Sequence, residues 1–246
     1  MKDKERPNIP HENPIFDSKN SQDIFPSGIT KKSDYEFFIE TTRPEDTYDK
    51  ASDYFSIDKV QKYAESKSIM RIQEKITKRV IEIADIPAPA VILDLGIGSG
   101  FSTIYMYLRG YRTVGVDINS LFLSYYHNTE INPIQSDMSL IGFRKHSFDL
   151  VVSVSAVQWL FSTHINGKQG KTNETLRIKR FAKECDFVLK PKGKIVIQFY
   201  PKSNDQMHLL GHEFLELGNY EGGFIIDNPK NPKKRKVYLS LLKVKA

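Results

Sequence analysis

A run of apolar residues from Val91 to Leu95, interrupted only by Asp94, is the clearest strand signal in the chain. Such a run is typical of a strand that is buried on both faces of a sheet. It leads into Gly96-x-Gly98-x-Gly100, and a helix-like segment from Ser102 to Arg109 follows. Strand, glycine-rich turn and helix indicate the first unit of a doubly wound α/β domain, since glycine allows a sharp turn and a close approach to a ligand.

The rest of the chain alternates between helical and strand patterns. Apolar residues recur at spacings of three and four between Lys59 and Ala84, which predicts one helix packed on the sheet. Polar sequence from Phe161 to Thr175 predicts a loop, and Pro191-Lys-Gly-Lys194 predicts a turn. The other predicted helices are Asn119 to about His127, Leu176–Leu189 and Asn204–Leu217. The other predicted strands are Thr113–Asp117, Pro133–Gln135, Phe148–Ser153, Ile195–Tyr200, Phe224–Ile226 and Val237–Leu242. This order predicts an α/β fold whose doubly wound, mostly parallel sheet ends in a C-terminal antiparallel hairpin.

Residues 1–42 differ from the rest in composition. They are rich in polar residues and proline, with short apolar islands at Ile15-Phe16, Ile24-Phe25 and Tyr35 to Ile39. These islands are too few for an independent core. We therefore divide the chain into an N-terminal extension, residues 1–42, which is either disordered or laid over the core as an arm, and one domain, residues 43–246.

Composition narrows the class of protein. No run in the 246 residues has the length and apolarity of a membrane helix, and the polar start lacks the apolar part of a secretory signal. Cys185 is the single cysteine, so no intrachain disulfide can form. An intracellular protein with no membrane segment is the expectation.

The basic charge of the chain is concentrated near its end. The formal net charge is +6, and residues 190–246 carry 11 basic and 5 acidic side chains. Such a field favours a polyanion such as RNA, although ordinary solubilising lysines would give the same balance. The run Pro232-Lys-Lys-Arg-Lys-Val237 has the composition of a nuclear-import signal. We expect it to form the charged turn between the last two strands, where it could contact phosphates.

Asp117 and the spacing of the glycines indicate which kind of ligand the site binds. Asp117 ends the second predicted strand, where an acid can bind both hydroxyls of a ribose. A dinucleotide fingerprint would have a glycine where Phe101 stands. The pattern therefore argues against a dinucleotide, and a plain strand-to-helix connection remains an alternative. On the preceding helix, Tyr63 and Arg71 are candidates for ligand contact, with a helix-surface role as the alternative for Arg71.

Four motifs carry a resemblance to a known family. They are Arg43-Pro-Glu45, Leu93-Asp-Leu-Gly-Ile-Gly-Ser-Gly100, Ser153-Val-Ser-Ala-Val-Gln-Trp-Leu160, and Gln198-Phe-Tyr-Pro-Lys202 with Asp205-Gln206. The chain resembles the eukaryotic-type small-subunit (18S) ribosomal RNA (guanine-N(7))-methyltransferases, which are class I S-adenosylmethionine-dependent enzymes with a Rossmann-like fold. The resemblance covers residues 43 to 243. It departs from the family in the first helix, where Lys67-Ser68 replaces a Ser-Arg pair, and after the last strand, where the basic tail is nearly absent.

The resemblance implies a cofactor and an acceptor site. S-adenosylmethionine would be bound and S-adenosylhomocysteine released. The implied cofactor-binding residues are Asp94, Gly96, Ile97, Gly98, Gly100, Asp117, Ile118, Asp137, Met138 and Ser153. Guanine N(7) has a lone pair and no proton to lose, so its methylation needs alignment rather than a general base. The residues implied to position the acceptor are Ser155, Gln158 and Trp159.

Each of the acceptor residues has a second interpretation. Trp159 would stack on the guanine, or it is simply part of the core. Ser155 or Gln158 would read the edge of the base, or Ser155 caps the following turn. Tyr200 and Lys202 are candidates for the acceptor entrance, although Tyr200 would equally fit core packing.

The resemblance also implies partners: ribosomal RNA within a pre-ribosome, and a small zinc-binding methyltransferase activator subunit that pairs along the sheet edge. Pro133 lacks an N–H group, so the short strand near it fits an exposed edge. Phe122, Tyr125 and Tyr126 precede this strand and either face the partner or face the core. We also expect the protein to be located in the nucleus and cytoplasm.

Two further features of the sequence concern a metal site and the acceptor. His208, His212 and Glu216 have the helical spacing of metal ligands, but without further Cys or His nearby we expect no metal site. The alternative functions are a methyltransferase for tRNA, protein or a small molecule, and a ribosome-assembly factor whose catalysis is dispensable.

Overall fold

The structure, a computed structural model, describes residues 43–48, 50–124, 131, 133–161, 168–231 and 233–244, with the side chains of 168–171 excepted. The strands are β1 Val91–Leu95, β2 Arg112–Asp117, β3 Ile134–Gln135, β4 Phe148–Val154, β5 Leu189–Phe199, β6 Tyr220–Asp227 and β7 Lys236–Lys243. The helices are α1 Ala51–Tyr54, α2 Ile57–Ala64, α3 Lys67–Ala84, α4 Phe101–Tyr107, α5 Ser120–Leu123, α6 Lys168–Val188 and α7 Asn204–Leu215, with 3₁₀ helices at Pro44–Asp46 and Val157–Phe161.

One sheet organises these elements, in the order β3-β2-β1-β4-β5-β7-β6. The first five strands in that order are parallel, whereas β7 runs antiparallel between β5 and β6. This confirms the predicted doubly wound, mostly parallel sheet with an antiparallel hairpin at its end. The strand order reverses between β1 and β4, and such a reversal opens a crevice at the carboxyl ends of the strands.

The sheet is covered on both faces, which explains the apolar runs in its strands. Leu93 and Leu95 of β1 belong to the core that α6 and α7 cover, with Phe181 and Phe214 among its fully buried side chains. Ile92 points to the opposite core, which α3 and α4 cover. Alternation along β1 thus supplies both cores and fixes the strand in the middle of the molecule.

The predicted helix Lys59–Ala84 is wrong in one respect, because it is two helices. α2 ends at Ala64, and α3 begins after Ser66, whose hydroxyl accepts the N–H of Ile69 at 3.3 Å. A serine cap of this kind interrupts a periodic pattern without changing its apolar spacing. The predicted loop Phe161–Thr175 is also wrong from residue 168 onward, because α6 begins there. The sequence of the first turns of α6 has no apolar stripe, so the pattern gave no helix signal.

Two predicted turns have different outcomes. The segment Pro191–Lys194 lies within β5 as an irregularity, since the pairing with β4 shifts in register there and Lys192 has a φ of +62°. The charged turn between the last two strands is confirmed, with Lys230, Lys233 and Lys234 exposed. Among the described residues, no helix combines the length and apolarity needed to cross a membrane.

Candidate active site

A cavity of about 310 Å³ opens at the carboxyl ends of β1, β2 and β4. It lies at the reversal of strand order, the usual ligand site in an open α/β sheet. Its wall is formed by the glycine turn, the end of β2, the turn after β3 and the 3₁₀ helix after β4. The 3₁₀ helix Pro44–Asp46 and the helices α1 to α3 complete the wall from the N-terminal side.

The glycine turn adopts backbone conformations that side chains disfavour. Gly96 and Gly98 have φ values of +81° and +52°. A Cβ on Gly96 would lie 2.3 Å from the Cβ of Ala156, in the turn after β4. The N–H groups of Gly96 and Ile97 donate to the Val116 carbonyl at 2.8 and 3.1 Å. The turn is therefore held by backbone contacts to β2 and by a close approach to β4 that only glycine permits.

Asp94 is fully buried at the end of β1. Its Oδ2 accepts hydrogen bonds from Ser102 at 2.5 Å and from Thr103 at 2.7 Å, at the start of α4. Its Oδ1 has no partner among the described residues. Burial raises the pKa of Asp94 to about 6, against the lowering effect of the two hydroxyl donors. The carboxylate thus keeps one buried acceptor open, two residues before Gly96.

Asp117 ties the glycine turn to the end of β2. Its Oδ2 accepts the N–H of Gly98 and its Oδ1 accepts the N–H of Asn119, both at 2.8 Å. Burial raises the pKa of Asp117, while these backbone donors lower it. Each carboxylate oxygen can accept a second hydrogen bond, so the side chain can still bind a hydroxyl group in the cavity it lines.

The turn after β3 completes this end of the cavity. Asp137 Oδ1 accepts both the N–H and the hydroxyl of Ser139 at 2.8 Å, which fixes the carboxylate against its own turn. Met138 and Ile118 line the cavity on either side of it. Two apolar side chains beside a carboxylate suit a flat heterocycle that carries an amino group.

The turn after β4 contains the residues predicted to position the acceptor. Ser155 has a φ of +59°, and its hydroxyl donates to Gln198 Oε1 at 2.8 Å, so it does not cap the following turn. Gln158 donates Nε2 to the Ser155 carbonyl at 2.7 Å, and its Oε1 is buried without a partner among the described residues. Trp159 is half-buried and, with the other two, lines the cavity.

Aromatic side chains form a wall that sequence reasoning largely missed. Phe55 meets Phe122 edge-on with ring centroids 4.9 Å apart, and Tyr63 stacks on Phe101 at 5.9 Å. Burial raises the pKa of Tyr63 to about 12, so its hydroxyl stays protonated. The ring of Trp159 lies 6.2 Å from that of Phe55. Together these rings give one side of the cavity an apolar, π-rich surface.

Phe122 corrects one expectation about the sheet edge. It is 3% exposed and packs within the aromatic wall, so it faces the core and not a partner. Tyr125 and Tyr126 lie outside the described residues. β3 does form the edge of the sheet, and Ile134 on it is 39% exposed.

The Arg43-Pro-Glu45 segment is fastened to the strand end beyond β5. Arg43 Nη1 donates to the Tyr200 carbonyl at 2.7 Å, and Lys202 pairs with Asp46. Burial lowers the pKa of Lys202, partly offset by the nearby Glu45. Pro44 and Glu45 line the cavity, so this contact brings the first and last motifs of the resemblance to one site.

Most of the predicted site residues line this cavity. They are Gly96, Ile97, Gly98, Asp117, Ile118, Asp137, Met138, Ser155, Gln158 and Trp159. Three lie behind its surface. Asp94 has the buried position described above, Gly100 begins α4 with a φ of +80°, and Ser153 donates its hydroxyl to the Leu95 carbonyl at 2.8 Å. Tyr63 lines the cavity, whereas Arg71 is exposed and does not.

Several lining residues carried no signal for this site in the sequence. They are Phe55, Gln73, Phe101, Phe122 and Arg177, together with Glu45, which appeared only within a motif. In the part of the chain that the structure describes, no three His, Cys, Asp or Glu side chains converge as metal ligands. His212 instead lies 3.9 Å from Glu216.

Comparison with known proteins agrees with this geometry. A family model described as "Methyltransferase domain" matches residues 93–197. The chain is 32% identical over 186 residues to the 18S rRNA (guanine-N(7))-methyltransferase bud23 of Schizosaccharomyces pombe, covering 73% of this chain and 67% of that protein. It is 31% identical over 193 residues to the 18S rRNA (guanine-N(7))-methyltransferase of Bos taurus, covering 76% and 67%.

A solved structure supports the fold independently. An S-adenosyl-L-methionine-dependent methyltransferase of Methanococcus maripaludis superposes with a TM-score of 0.58 at 15% identity, over 85% of this chain and 98% of that one. The fold and the cavity thus define a class I methyltransferase of the S-adenosylmethionine-dependent type. Within that class, the identity and coverage of its relatives show that the chain belongs to the 18S ribosomal RNA (guanine-N(7))-methyltransferase family.

Proposed function

We propose that the protein transfers a methyl group from S-adenosylmethionine to N(7) of a guanine in small-subunit ribosomal RNA during ribosome biogenesis. The observation that carries the proposal is that one cavity joins two sets of residues. The glycine turn with Asp117 and Asp137 suits a nucleoside cofactor, and the segment from Ser155 to Trp159 suits a planar base. The family to which the chain belongs supports guanine N(7) as the acceptor.

The residues fit the cofactor at three points. Asp117 can bind the ribose hydroxyls, and Asp137 with Ile118 and Met138 can hold the adenine. The open side of Gly98, where a Cβ would meet only Tyr63 at 4.0 Å, allows a ligand to approach the backbone closely. The unpartnered Oδ1 of Asp94 suits a cationic group such as the ammonium of the cofactor. Gly100 and Ser153 support this site from behind, through the start of α4 and the Leu95 carbonyl.

At the acceptor end of the cavity, the protein needs only to orient the guanine and to exclude water. S-adenosylmethionine supplies an electrophilic methyl group on sulfur, and guanine N(7) supplies the lone pair. Trp159 can stack on the base, and the contact strengthens as the base becomes cationic, because an aromatic face attracts positive charge. Gln158 offers a buried acceptor to the edge of the base. Tyr200 and Lys202 do not line the cavity themselves, but they contact Arg43 and Asp46, which flank the cavity-lining Pro44 and Glu45. Lys236 lies 5.1 Å from the centroid of the Tyr200 ring.

The RNA contact fits the same edge of the sheet. β7 runs antiparallel to β5, and Val237 pairs with Phe199 at the carboxyl end of β5. The basic β6–β7 turn therefore lies at the edge where the cavity opens. A cluster of lysines beside the acceptor entrance provides the sequence-independent attraction that a phosphate backbone requires.

Three further proposals concern the surroundings of the enzyme. A small zinc-binding activator subunit pairs with β3, which is the last strand on its side of the sheet among the described residues and carries the exposed Ile134. Residues 1–42 act as an extension to the domain formed by residues 43–246. The protein works in the nucleus and cytoplasm, where pre-ribosomes are made and completed.

The main alternatives are a methyltransferase for tRNA, protein or a small molecule, and an assembly factor whose catalysis is dispensable. Enzymes that methylate amino groups of RNA or protein commonly carry an Asn/Asp-Pro-Pro-aromatic motif after the fourth strand, where this chain has Ser153-Val-Ser-Ala156. The assembly factor and the enzyme would have the same active site and would differ only in whether the cell needs the methyl transfer. A variant that binds the cofactor but does not transfer the methyl group therefore distinguishes the two functions.

The test is to map N(7)-methylguanosine in small-subunit ribosomal RNA by chemical cleavage. Cells with the protein, cells without it, and cells with Trp159→Ala are compared. We expect one cleavage site to be lost without the protein and strongly reduced in the variant, while calorimetry shows cofactor affinity unchanged. Unaltered cleavage in the absence of the protein would contradict the proposed substrate. Normal ribosome assembly by the inactive variant would favour the assembly-factor role.

A further inference from the structure

Glu45 is a buried carboxylate in the Arg43-Pro-Glu45 motif, and none of the cofactor contacts proposed above uses it. It lines the cavity and is 8% exposed. Its Oε1 lies 3.9 Å from Arg43 Nη1, beyond hydrogen-bond distance, because that guanidinium donates at 2.7 Å to the Tyr200 carbonyl. A buried carboxylate is costly unless hydrogen-bond donors reach it. Arg43 and Lys202 lie near this carboxylate, but among the described residues no donor hydrogen-bonds to it, so it can accept hydrogen bonds from a ligand in the cavity.

The neighbours of Glu45 indicate which end of the cavity that ligand occupies. The 3₁₀ helix Pro44–Asp46 packs against the 3₁₀ helix Val157–Phe161, which contains Gln158 and Trp159. Gln158 contributes a second buried acceptor, its Oε1, to the same cavity. Two buried acceptors near an aromatic ring match a flat base with two adjacent donor groups.

Guanine has that arrangement on one edge only. Its N1–H and its exocyclic N2 amino group both donate on the Watson–Crick edge, whereas N7 and O6 are the acceptors of the Hoogsteen edge. Adenine has an acceptor at N1, and inosine lacks the N2 amino group. A carboxylate that binds N1–H and N2–H therefore selects guanine and leaves N7 directed away from itself.

We propose that Glu45 reads the Watson–Crick edge of the target guanine, with Gln158 as a second acceptor, and that its charge assists the transfer. This inference rests on the proposed function. Methylation of N7 gives the ring a positive charge and makes N1–H a stronger donor. The bond to Glu45 thus strengthens as the methyl group moves, and such differential binding lowers the barrier. No proton has to leave the base in this step.

The anchoring of the segment supports a positioning function for its neighbours. Arg43 is bonded to the Tyr200 carbonyl and Asp46 is paired with Lys202, so both ends of the three-residue turn are attached to the strand end beyond β5. Asp46 also accepts the N–H of Arg43 at 2.7 Å. These contacts hold Glu45 at a fixed place, which edge recognition requires.

The experiment combines one variant with three nucleotides. In wild-type protein loaded with S-adenosylhomocysteine, we expect 7-methyl-GMP to bind more tightly than GMP, and GMP more tightly than IMP, by about fivefold or more at each step. In Glu45→Gln, the preference for the cationic 7-methyl-GMP should disappear and that for GMP over IMP should shrink. Methyl transfer to ribosomal RNA should fall by roughly 10- to 100-fold in kcat, with cofactor affinity within about twofold.

The control is Asp46→Asn, which weakens the anchoring of the same segment and leaves the Glu45 carboxylate in place. If Glu45 acted only by holding the segment, both variants would lose activity alike and both would keep the nucleotide preferences. Equal affinities for the three nucleotides in the wild type, or a large loss of cofactor affinity in Glu45→Gln, overturns the inference. A wild type that leaves ribosomal RNA unmethylated contradicts the proposed function instead, whatever the nucleotide preferences are.

Discussion

At the scale of single residues, Asp94 shows how the site departs from what stability alone would select. A fully buried carboxylate with one unpartnered oxygen destabilises the ionised form, and burial raises its pKa from 3.8 to about 6. Because folding raises this pKa, the contribution of Asp94 to stability is fully present below its ordinary value of 3.8 and is lost as the pH rises through about 6. At neutral pH the folded protein therefore carries a buried negative charge, which a cationic ligand group can stabilise.

This arrangement predicts a pH dependence of cofactor binding. A cationic ammonium near Asp94 lowers the pKa of the carboxyl again, so binding between pH 5 and 6 should release protons. Calorimetry in buffers of different ionisation enthalpy measures that release, and affinity should weaken by up to about tenfold per pH unit below 6. In Asp94→Asn both effects should vanish. Proton release that persists in this variant would assign the titration to another group.

Asp117 gives a second prediction at this scale. Asp117→Ala should weaken S-adenosylmethionine binding by about 1.5–3 kcal/mol, the range for hydrogen bonds to a charged group. Because Asp117 also accepts the N–H of Gly98, part of this loss comes from a looser glycine turn. Asp117→Asn keeps one acceptor and should lose less. Calorimetry on folded variants measures both, and an unchanged affinity in Asp117→Ala would place the ribose elsewhere.

At the scale of elements, the turns after β1 and β4 depend on each other. The place for a Cβ on Gly96 is taken by Ala156, and Gly96 also has a φ of +81°. Gly96→Ala should therefore cost about 1–3 kcal/mol of stability and most of the cofactor affinity. Adding Ala156→Gly removes the colliding atom and should recover part of the stability, but not the part due to the backbone conformation. Thermal unfolding of the two variants separates the steric contribution from the contribution of the backbone conformation. A double variant that is no more stable than Gly96→Ala would contradict the predicted collision with Ala156.

Elements with a strong apolar pattern could be predicted from the sequence, and those that depend on packing could not. β1 and the doubly wound, mostly parallel sheet followed from apolar runs and glycines, because buried parallel strands leave a clear signature. The break at Ser66 and the early start of α6 left no trace in apolar spacing. Within the site, Asp117 and Gly98 lie on local motifs, whereas the aromatic wall around Phe55 assembles from distant elements. Tertiary contact alone brings such residues together.

At the scale of the whole molecule, charge and topology act on the same edge of the sheet. The β6–β7 turn carries exposed lysines and lies at the carboxyl end of β5, on the same side of the sheet as the cavity at the carboxyl ends of β1, β2 and β4. Replacing Lys230, Lys233 and Lys234 by alanine should weaken binding to ribosomal RNA and reduce the slope of log K against log salt by about 2 to 3. As a control, Lys179, Arg180 and Lys183 are exposed on α6, outside the β6–β7 turn. Replacing these three residues by alanine should change the slope less. Equal changes in the two triple variants would indicate that RNA contacts the surface broadly and not through the β6–β7 turn.

The edge of the sheet leads to the last prediction, which concerns the activator subunit. β3 is only two residues long and pairs with β2 on one side, so its other side presents backbone groups to a partner strand. Ile134 is 39% exposed there, whereas Phe122 is buried in the aromatic wall and cannot serve as a contact. We therefore expect the chain to be poorly soluble or weakly active alone and to be rescued by co-expression with a zinc-binding activator.

The site of that contact can be tested separately from its existence. Ile134→Glu should abolish co-purification, because a charge at the centre of a strand-to-strand interface remains without a partner. Leu108→Glu is the matched control, since Leu108 is 73% exposed at the end of α4, and it should leave the complex intact. Circular dichroism and cofactor binding establish that both variants are folded. A chain that is soluble, monomeric and fully active alone would remove the need for an activator. A complex that survives Ile134→Glu would move the contact away from β3 and leave the partner itself in place.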